Sequence, residues 1–460
     1  MSVDCVCRRV AVTAPVSRTF EAGFDFIFFD WDMYFLSLMA GTSPAAEDAG
    51  AWGVAISNLV EVTQTRSVYG HVMNKRAASG SRTSDTNDRT EPLVGSAVVL
   101  RIYEDAKTSG SPERLATMEW VIKLLYPTLL GWNQWAWNLR RYNVGKDSPH
   151  GGLLVLGADA THLPCEGGTV TSPPTCGGGP GGSSAGGAIL ESGMDNSPMY
   201  YNAFNDTQAS WDSAAGRLQL YDVQMSALFV SESIALQQLA VLVAQPAALP
   251  MLSTQAKTMA ALVNGSLWDE TTGIYRQRDA SPAKLGFSPV LSPTSFYPML
   301  GGIPSEAQAE RMIANHLTNA SEFCVDPGAP EFESSAERCP YAIPSISRSD
   351  PNFWDNTYWR GRIWGPLNLL VWLSLSHPKY AAMPRVASAR KGLCAQAHAA
   401  LMVEWREKHH VHENLNATNG QGCDVGNSNP FYHWGALSGY ISMREAMMVV
   451  AASTTTSGGN

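Results

Sequence analysis

Three long segments of this 460-residue chain carry an apolar residue at every third or fourth position. A Ser-Pro-Glu start at Ser111 leads into Leu115, Met118, Ile122 and Leu125. Leu220, Val223, Ala227, Val230, Ile234 and Val241 repeat the spacing until Pro246 stops it, and residues 386–403 form a third, alanine-rich segment. That periodicity puts one apolar face on a helix and predicts helices with packed interiors. Between them run long irregular stretches rich in Gly, Pro, Asn, Trp and Tyr, with no regular succession of strands and helices to build a doubly wound sheet. Residues 267–277, LWDETTGIYRQ, read as a helix end followed by a tight turn. The expected architecture is mainly α, with long functional loops joining the helices. Length alone would allow about three domains of roughly 150 residues. Residues 77–90 and 167–187 are low in complexity and read as flexible, and 453–460 as a frayed tail.

Charge narrows the function. Charged residues make up 16 % of the chain, against about 25 % in ordinary globular domains. The net charge of −9 is spread without any block of like sign, which excludes a nucleic-acid surface built on clustered Lys and Arg. No window reaches the roughly 18 unbroken apolar residues of a membrane helix; the nearest, FDFIFFDWDMYFLSLMA, is interrupted by Asp25, Asp30 and Asp32. The N-terminus lacks the apolar stretch of a secretory leader. Two cysteine pairs bracket short loops, Cys165 with Cys176 and Cys324 with Cys339, and sequons stand at Asn205, Asn264, Asn319 and Asn416. These features point to the secretory pathway and the missing leader to the cytoplasm, so the compartment stays open.

Two familiar catalytic motifs fail on inspection. GSSAG at residues 182–186 matches a nucleophile elbow, but it lies in a Gly/Ser run without the strand and helix that expose the serine. HHVHENLN places His409, His410 and His412 beside Glu413, yet Asn416 occupies the position where a zinc protease needs its second histidine. Neither a metal nor a cofactor is expected. Five loops instead repeat a mixture of carboxylate, aromatic and amide: FFDWDMYF with Trp31 and Asp32, ESGMDNSPMY with Glu191 and Asp195, FWDNTYWRGRIWGP with Tyr358, Trp359, Arg360 and Trp364, VHENLNATNGQG with Glu413, and NPFYHWG with His433 and Trp434. Carboxylates bond sugar hydroxyls and aromatic rings cover sugar faces. Two carboxyls on opposite sides of a scissile bond are what glycoside hydrolysis requires.

At these residues the chain resembles glycoside hydrolase family 63. SGMDNSPMY, YWRGRIWGPLN and FYHWGAL are similar to segments of that family's catalytic domain, and NDRTEPLVGS, SPTSFYPML and IPSISRSDPNFWDN fit in the same order, so the resemblance covers roughly residues 20–447. The ESGMDNSPMY form leans toward the mannosylglycerate hydrolase-like branch rather than the mannosyl-oligosaccharide glucosidase branch. The resemblance implies an (α/α)6 barrel in a single domain over residues 1–452, and inversion at an α-linked sugar. It implies Asp195 as general acid and Glu413 as general base. Trp31 and Asp32 become sugar-subsite residues, and Tyr358, Trp359, Arg360 and Gly361 line the pocket. Glu191, Trp364, His433 and Trp434 complete the expected substrate contacts, with Arg360 a candidate to orient or balance one acid. Glu404 and Glu407 compete with Glu413 for the base but fall on the preceding helix. The chain starts only some twenty residues before DWD, so the first barrel helix is expected to be short or missing, and 167–187 reads as an insertion at the pocket rim. The expected partner is an α-linked glucoside, mannoside or glycosyl-glycerate. An N-glycan is the alternative substrate, and a non-catalytic sugar-binding relative or a protein-binding helical toroid the alternative class.

Overall fold

A computed structural model describes residues 27–42, 49–67, 69–77, 86, 88–143, 150–159, 185–200, 210–281, 286–328 and 339–457. Helices dominate. In chain order they are α1 (Asp30–Gly41), α2 (Ala49–Gln64), α3 (Gly95–Thr108), α4 (Pro112–Leu139), the short α5 (Ala185–Leu190), α6 (Val223–Leu242), α7 (Leu249–Ser266), α8 (Glu306–Met312), α9 (Gly365–Leu375), α10 (Pro384–Lys408) and α11 (His433–Ser457). The three segments with clear periodicity become α4, α6 and α10. The Ser111 side chain accepts the backbone N–H of Arg114 at the start of α4, with Pro112 in the first turn, a cap worth about 1 kcal/mol. Asp222 caps α6 in the same way. Segment Pro293–Gly301 winds as a 3₁₀ helix rather than an α-helix, because Pro293 and Pro298 remove two backbone donors from nine residues.

The packing order is simple. α1, α3, α6, the 3₁₀ segment, α9 and α11 each pack on the next, and α11 returns to α1. α2, α4, α7 and α10 lie against α1, α3, α6 and α9 respectively, and α10 also packs on α11. One contiguous apolar core runs through all of them. α6 is apolar enough by composition to span a membrane, but 67 % of its apolar window is buried inside the protein, as in a core helix. Among the described residues, β structure consists of five two-stranded antiparallel ladders of two or three residues per strand and isolated antiparallel bridges. The helix end and turn expected at 267–277 is the close of α7 and the Trp268–Asp269/Ile274–Tyr275 ladder.

Two expectations need revision, and one cysteine pairing holds. Thr86 and Asp88–Thr90, inside a stretch read as flexible, are buried. α11 runs to Ser457, beyond the point where a frayed tail was expected. Cys324 and Cys339 form a disulfide, while Cys165, Cys176, Ser183 and the stretch 167–184 lie outside the described residues.

Candidate active site

The N-terminal ends of α1, α9 and α11 meet, and four tryptophans pack where they do. Trp31 sits in the first turn of α1, Trp364 caps α9, and Trp434 opens α11. Trp359 stacks on Trp364 with ring centroids 3.6 Å apart, and Trp31 lies 6.1 Å from Trp359 and 5.3 Å from Trp434. All four rings are buried. The indole N–H groups of Trp359 and Trp434 are buried without a partner among the described residues. Tyr358 packs edge-on against Trp364 at 4.9 Å.

The loop ESGMDNSPMY leaves α5 through a sharp turn. Gly193 takes φ +68°, and a Cβ there would come within 2.6 Å of the Trp31 ring, so only glycine lets this backbone lie on the tryptophan. Two residues on, Asp195 is half-buried. Burial pushes its carboxyl up to about 6, opposed by the nearby Arg89 and Lys75 charges. Its neighbour Asn196 fastens the loop to YWRG, accepting the Trp359 backbone N–H at 2.9 Å.

Glu413 arrives from the opposite side. Asn414–Leu415 pairs antiparallel with Ile363–Trp364, which fixes the Glu413 loop beside YWRG. Glu413 is buried and accepts long hydrogen bonds of 3.4 Å from Tyr358 Oη and the Asn429 N–H. Burial pushes its carboxyl up to about 7; the Asn429 N–H opposes the shift, and the Asp195 charge adds to it. The Tyr358 phenol is raised by burial and by the charges of Glu413, Asp195 and Asp32. Two carboxyls that exchange a proton near neutrality are suited to paired acid and base work.

Tyr358 and Gly361 shape the third loop. Tyr358 holds φ +55°, a left-handed conformation that costs a non-glycine residue about 1–2 kcal/mol. At Gly361 (φ +93°) a Cβ would lie 2.1 Å from the Phe353 carbonyl oxygen. Asp32 is buried and accepts the Tyr432 hydroxyl. Burial raises its carboxyl well above the usual range, and the Glu413 and Asp30 charges add to the shift. His433 is half-buried, and burial lowers it to about 3, so its neutral ring donates from Nε2 to the Asp32 carbonyl at 3.0 Å.

Three expected sugar contacts are corrected. Glu191 has no exposed surface. Its two oxygens receive Arg140 Nε at 2.7 Å and Nη2 at 2.8 Å, with the N–H groups of Gly157 and Thr90 filling its remaining lone pairs. No acceptor site is left for a hydroxyl. Arg360 turns away from both acids, bonding Asp355 and Asn352 within its own loop. Trp364 is wholly buried behind Trp359, so it supports the pocket wall rather than facing a ligand.

Three groups escaped sequence reading. Buried Arg140 holds Glu191 and Asp159 at once and lies over the Trp135 ring at 4.2 Å. Buried Arg362 grips the loop after Glu413 through Asn414, Asp424 and the Gln421 carbonyl. Asp30 accepts the Thr90 hydroxyl and Glu91 N–H behind Asp32; burial raises both the Asp30 and Glu91 carboxyls, and their mutual repulsion raises Glu91 further. Arg140 stands in WNQWAWNLRRYN, where a basic pair ends an apolar helix; Arg362 had no local signal beyond its place in YWRGRIWG. Glu404, His410 and His412 lie together behind the Glu413 loop.

The family model for the mannosylglycerate hydrolase MGH1-like glycoside hydrolase domain matches residues 46–435. A mannosylglycerate hydrolase of Thermus thermophilus is 28 % identical over 108 residues, which is 23 % of this chain and only 21 % of that protein. Among solved structures, an uncharacterized conserved protein from Thermus thermophilus aligns with TM-score 0.62 and 20 % identity over 93 % of this chain and 95 % of that one. A GH63 mannosylglycerate hydrolase of the same species in complex with glucose aligns with TM-score 0.60 and 20 % identity, covering 94 % and 96 %. Neutral trehalase from Saccharomyces cerevisiae aligns with TM-score 0.57 and 14 % identity, covering 95 % and 73 %.

Proposed function

The chain belongs to the mannosylglycerate hydrolase MGH1-like glycoside hydrolase family, and from that premise we propose that it inverts an α-linked glucoside or mannoside with Asp195 as general acid and Glu413 as general base. It is a glycosidase by family. The observation that carries the assignment is that Asp195 and Glu413, two carboxyls 413 − 195 = 218 residues apart, are anchored to the same YWRG loop, through Asn196 and the Asn414–Leu415 ladder. The closed succession of α1, α3, α6, the 3₁₀ segment, α9 and α11, with outer helices behind it, supports an (α/α)6 barrel whose helix N-termini bear the site.

In the mechanism, Asp195 protonates the leaving oxygen while Glu413 takes a proton from water on the opposite face. Inversion needs room for that water, about 6.5–9.5 Å between the carboxyls. Burial raises both carboxyls toward neutrality, Asp195 to about 6 and Glu413 to about 7. A sugar seated against Asp195 excludes water there and favours its neutral form. Trp31, Trp359 and Trp434 form the buried aromatic support beneath the sugar subsite, Asp32 braces it from behind through Tyr432, and Tyr358 steadies Glu413. The relative solved with glucose supports a hexose in this position, and the family description supports a small acidic aglycone such as glycerate.

Anomer-resolved NMR on α-linked glucosides, mannosides and glycosyl-glycerates tests this reading. The first-formed sugar should be the β-anomer, and Asp195→Asn and Glu413→Gln should each remove at least about 99 % of turnover while sugar binding persists. Full turnover in either variant refutes the assignment of that residue. Binding by the unaltered chain without release from any substrate would make it a sugar-binding relative.

A further inference from the structure

A second chemical centre sits behind the base loop. The potential ligand atoms of Glu404, His410 and His412 all lie within 4.8 Å of one another. Glu404 comes from the last turns of α10, and His412 is the residue immediately before Glu413. Two imidazoles and one carboxylate form the donor set that borderline divalent metals take, zinc above all, with one position left open.

The surroundings orient these donors toward a shared point. Glu404 and His412 are buried and already in hydrogen-bond contact through Oε2 and Nδ1. Glu404 Oε1 is occupied by the Gly422 N–H at 2.7 Å, which fixes the carboxylate and leaves Oε2 for the cluster. To reach the ~3.3 Å ligand spacing of a tetrahedral zinc site, His410 closes in, while Glu404 Oε2 and His412 Nδ1 part slightly as the metal replaces the proton between them. That ring is half-buried and lies 4.8 Å from His412 and 4.4 Å from Phe431. His410 Nδ1 faces the Val411 carbonyl at 3.3 Å; donating there fixes the tautomer that presents the Nε2 lone pair, the usual outer support of a metal-bound histidine.

We propose that Glu404, His410 and His412 form a divalent-metal site of the zinc class that ties the end of α10 to the backbone carrying Glu413. The site is structural. It stands outside the sugar pocket and fastens the Glu413 loop from behind, while Arg362 grips the same 421–424 stretch from the other side. The rival is an ordinary histidine–glutamate hydrogen bond with no affinity for metal.

The test uses the full chain, stripped with chelator and titrated with zinc chloride by calorimetry, with cobalt(II) absorption as a second readout. About one zinc per chain should bind saturably, cobalt should show the intense visible bands of low-coordinate geometry, and zinc should raise the thermal midpoint reversibly. Glu404→Gln and His410→Gln should each weaken zinc binding more than about tenfold. The half-buried His410 leaves the fold of its variant intact, and that variant's metal-free midpoint should match that of the unaltered chain. No saturable uptake by the unaltered chain, or equal uptake by both variants, overturns the site. Because the readouts are metal binding and melting, they stand whether or not Asp195 and Glu413 prove catalytic.

Discussion

Replacing Glu191 with glutamine separates the two roles that its position beside Asp195 suggests. The buried carboxylate accepts two bonds from Arg140 and one each from the Thr90 and Gly157 N–H groups. A glutamine must turn its NH₂ toward two of those donors whichever way it flips, and Arg140 keeps only Asp159 as a charged partner. Breaking one side of such a buried pair costs about 3–5 kcal/mol. The unfolding entropy of 460 residues at roughly 2.1 cal/mol/K each is about 1 kcal/mol/K, so the thermal midpoint should fall by about 3–5 °C. Scanning calorimetry reads this directly. Sugar affinity, measured by titration at a temperature where the variant is folded, should stay within about twofold, since no Glu191 atom is exposed to the pocket. An unchanged midpoint together with a tenfold loss of sugar affinity would refute the placement of Glu191 behind the site.

Three further outcomes follow from the same geometry. Turnover against pH should be bell-shaped with limbs near the values of about 6 and about 7 held by the two carboxyls, and Tyr358→Phe, which removes a hydrogen bond that lowers Glu413, should move the alkaline limb upward; a limb that moves down or stays refutes the contact. Glu413 is raised from 4.5 to about 7, so its contribution to stability is complete below the unfolded value and lost as pH rises through about 7. Glu413→Gln should therefore stabilise the protein by about 1–3 kcal/mol at pH 8 and by nothing measurable near pH 4.5, and equal midpoint changes at both values would contradict the burial of the ionised base. Gly193→Ala combines a left-handed backbone with a clash on Trp31 and should cost about 2–5 kcal/mol along with turnover; a variant that melts normally would show that this turn relaxes freely.

How much of this was legible depended on whether the determining contact is local. α4, α6 and α10 could be read because periodicity and capping act within one segment. The 3₁₀ segment was not read as a helix, since the prolines of SPTSFYPML break the apolar spacing that marks the others. Asp195 and Glu413 stood out in the sequence through the residues around them, and the structure holds both beside the YWRG loop. Glu191 was misplaced because its function depends on Arg140, 51 residues away, and no pattern within ESGMDNSPMY distinguishes an acid facing solvent from one facing a buried guanidinium. Arg360 and Arg362 show the same limit at closer range. They are two residues apart in one motif, yet one closes its own loop and the other clamps the strand after Glu413.

The bonds from Tyr432 and His433 to Asp32 span 400 and 401 residues, and this has a consequence for synthesis. Asp32 leaves the ribosome about 20–80 s before its partners at 5–20 residues per second. Throughout that interval the Trp31 face of α1 lacks the α11 surface that covers it, and the acid loop can already lie on Trp31 without forming a working site. The contact between α1 and α11 is therefore made late, with a loop-closure entropy that makes this step slow. A nascent chain halted before α11 would hold Asp195 and Trp31 but have no pocket, and its uncovered tryptophans would be the surface that chaperones meet.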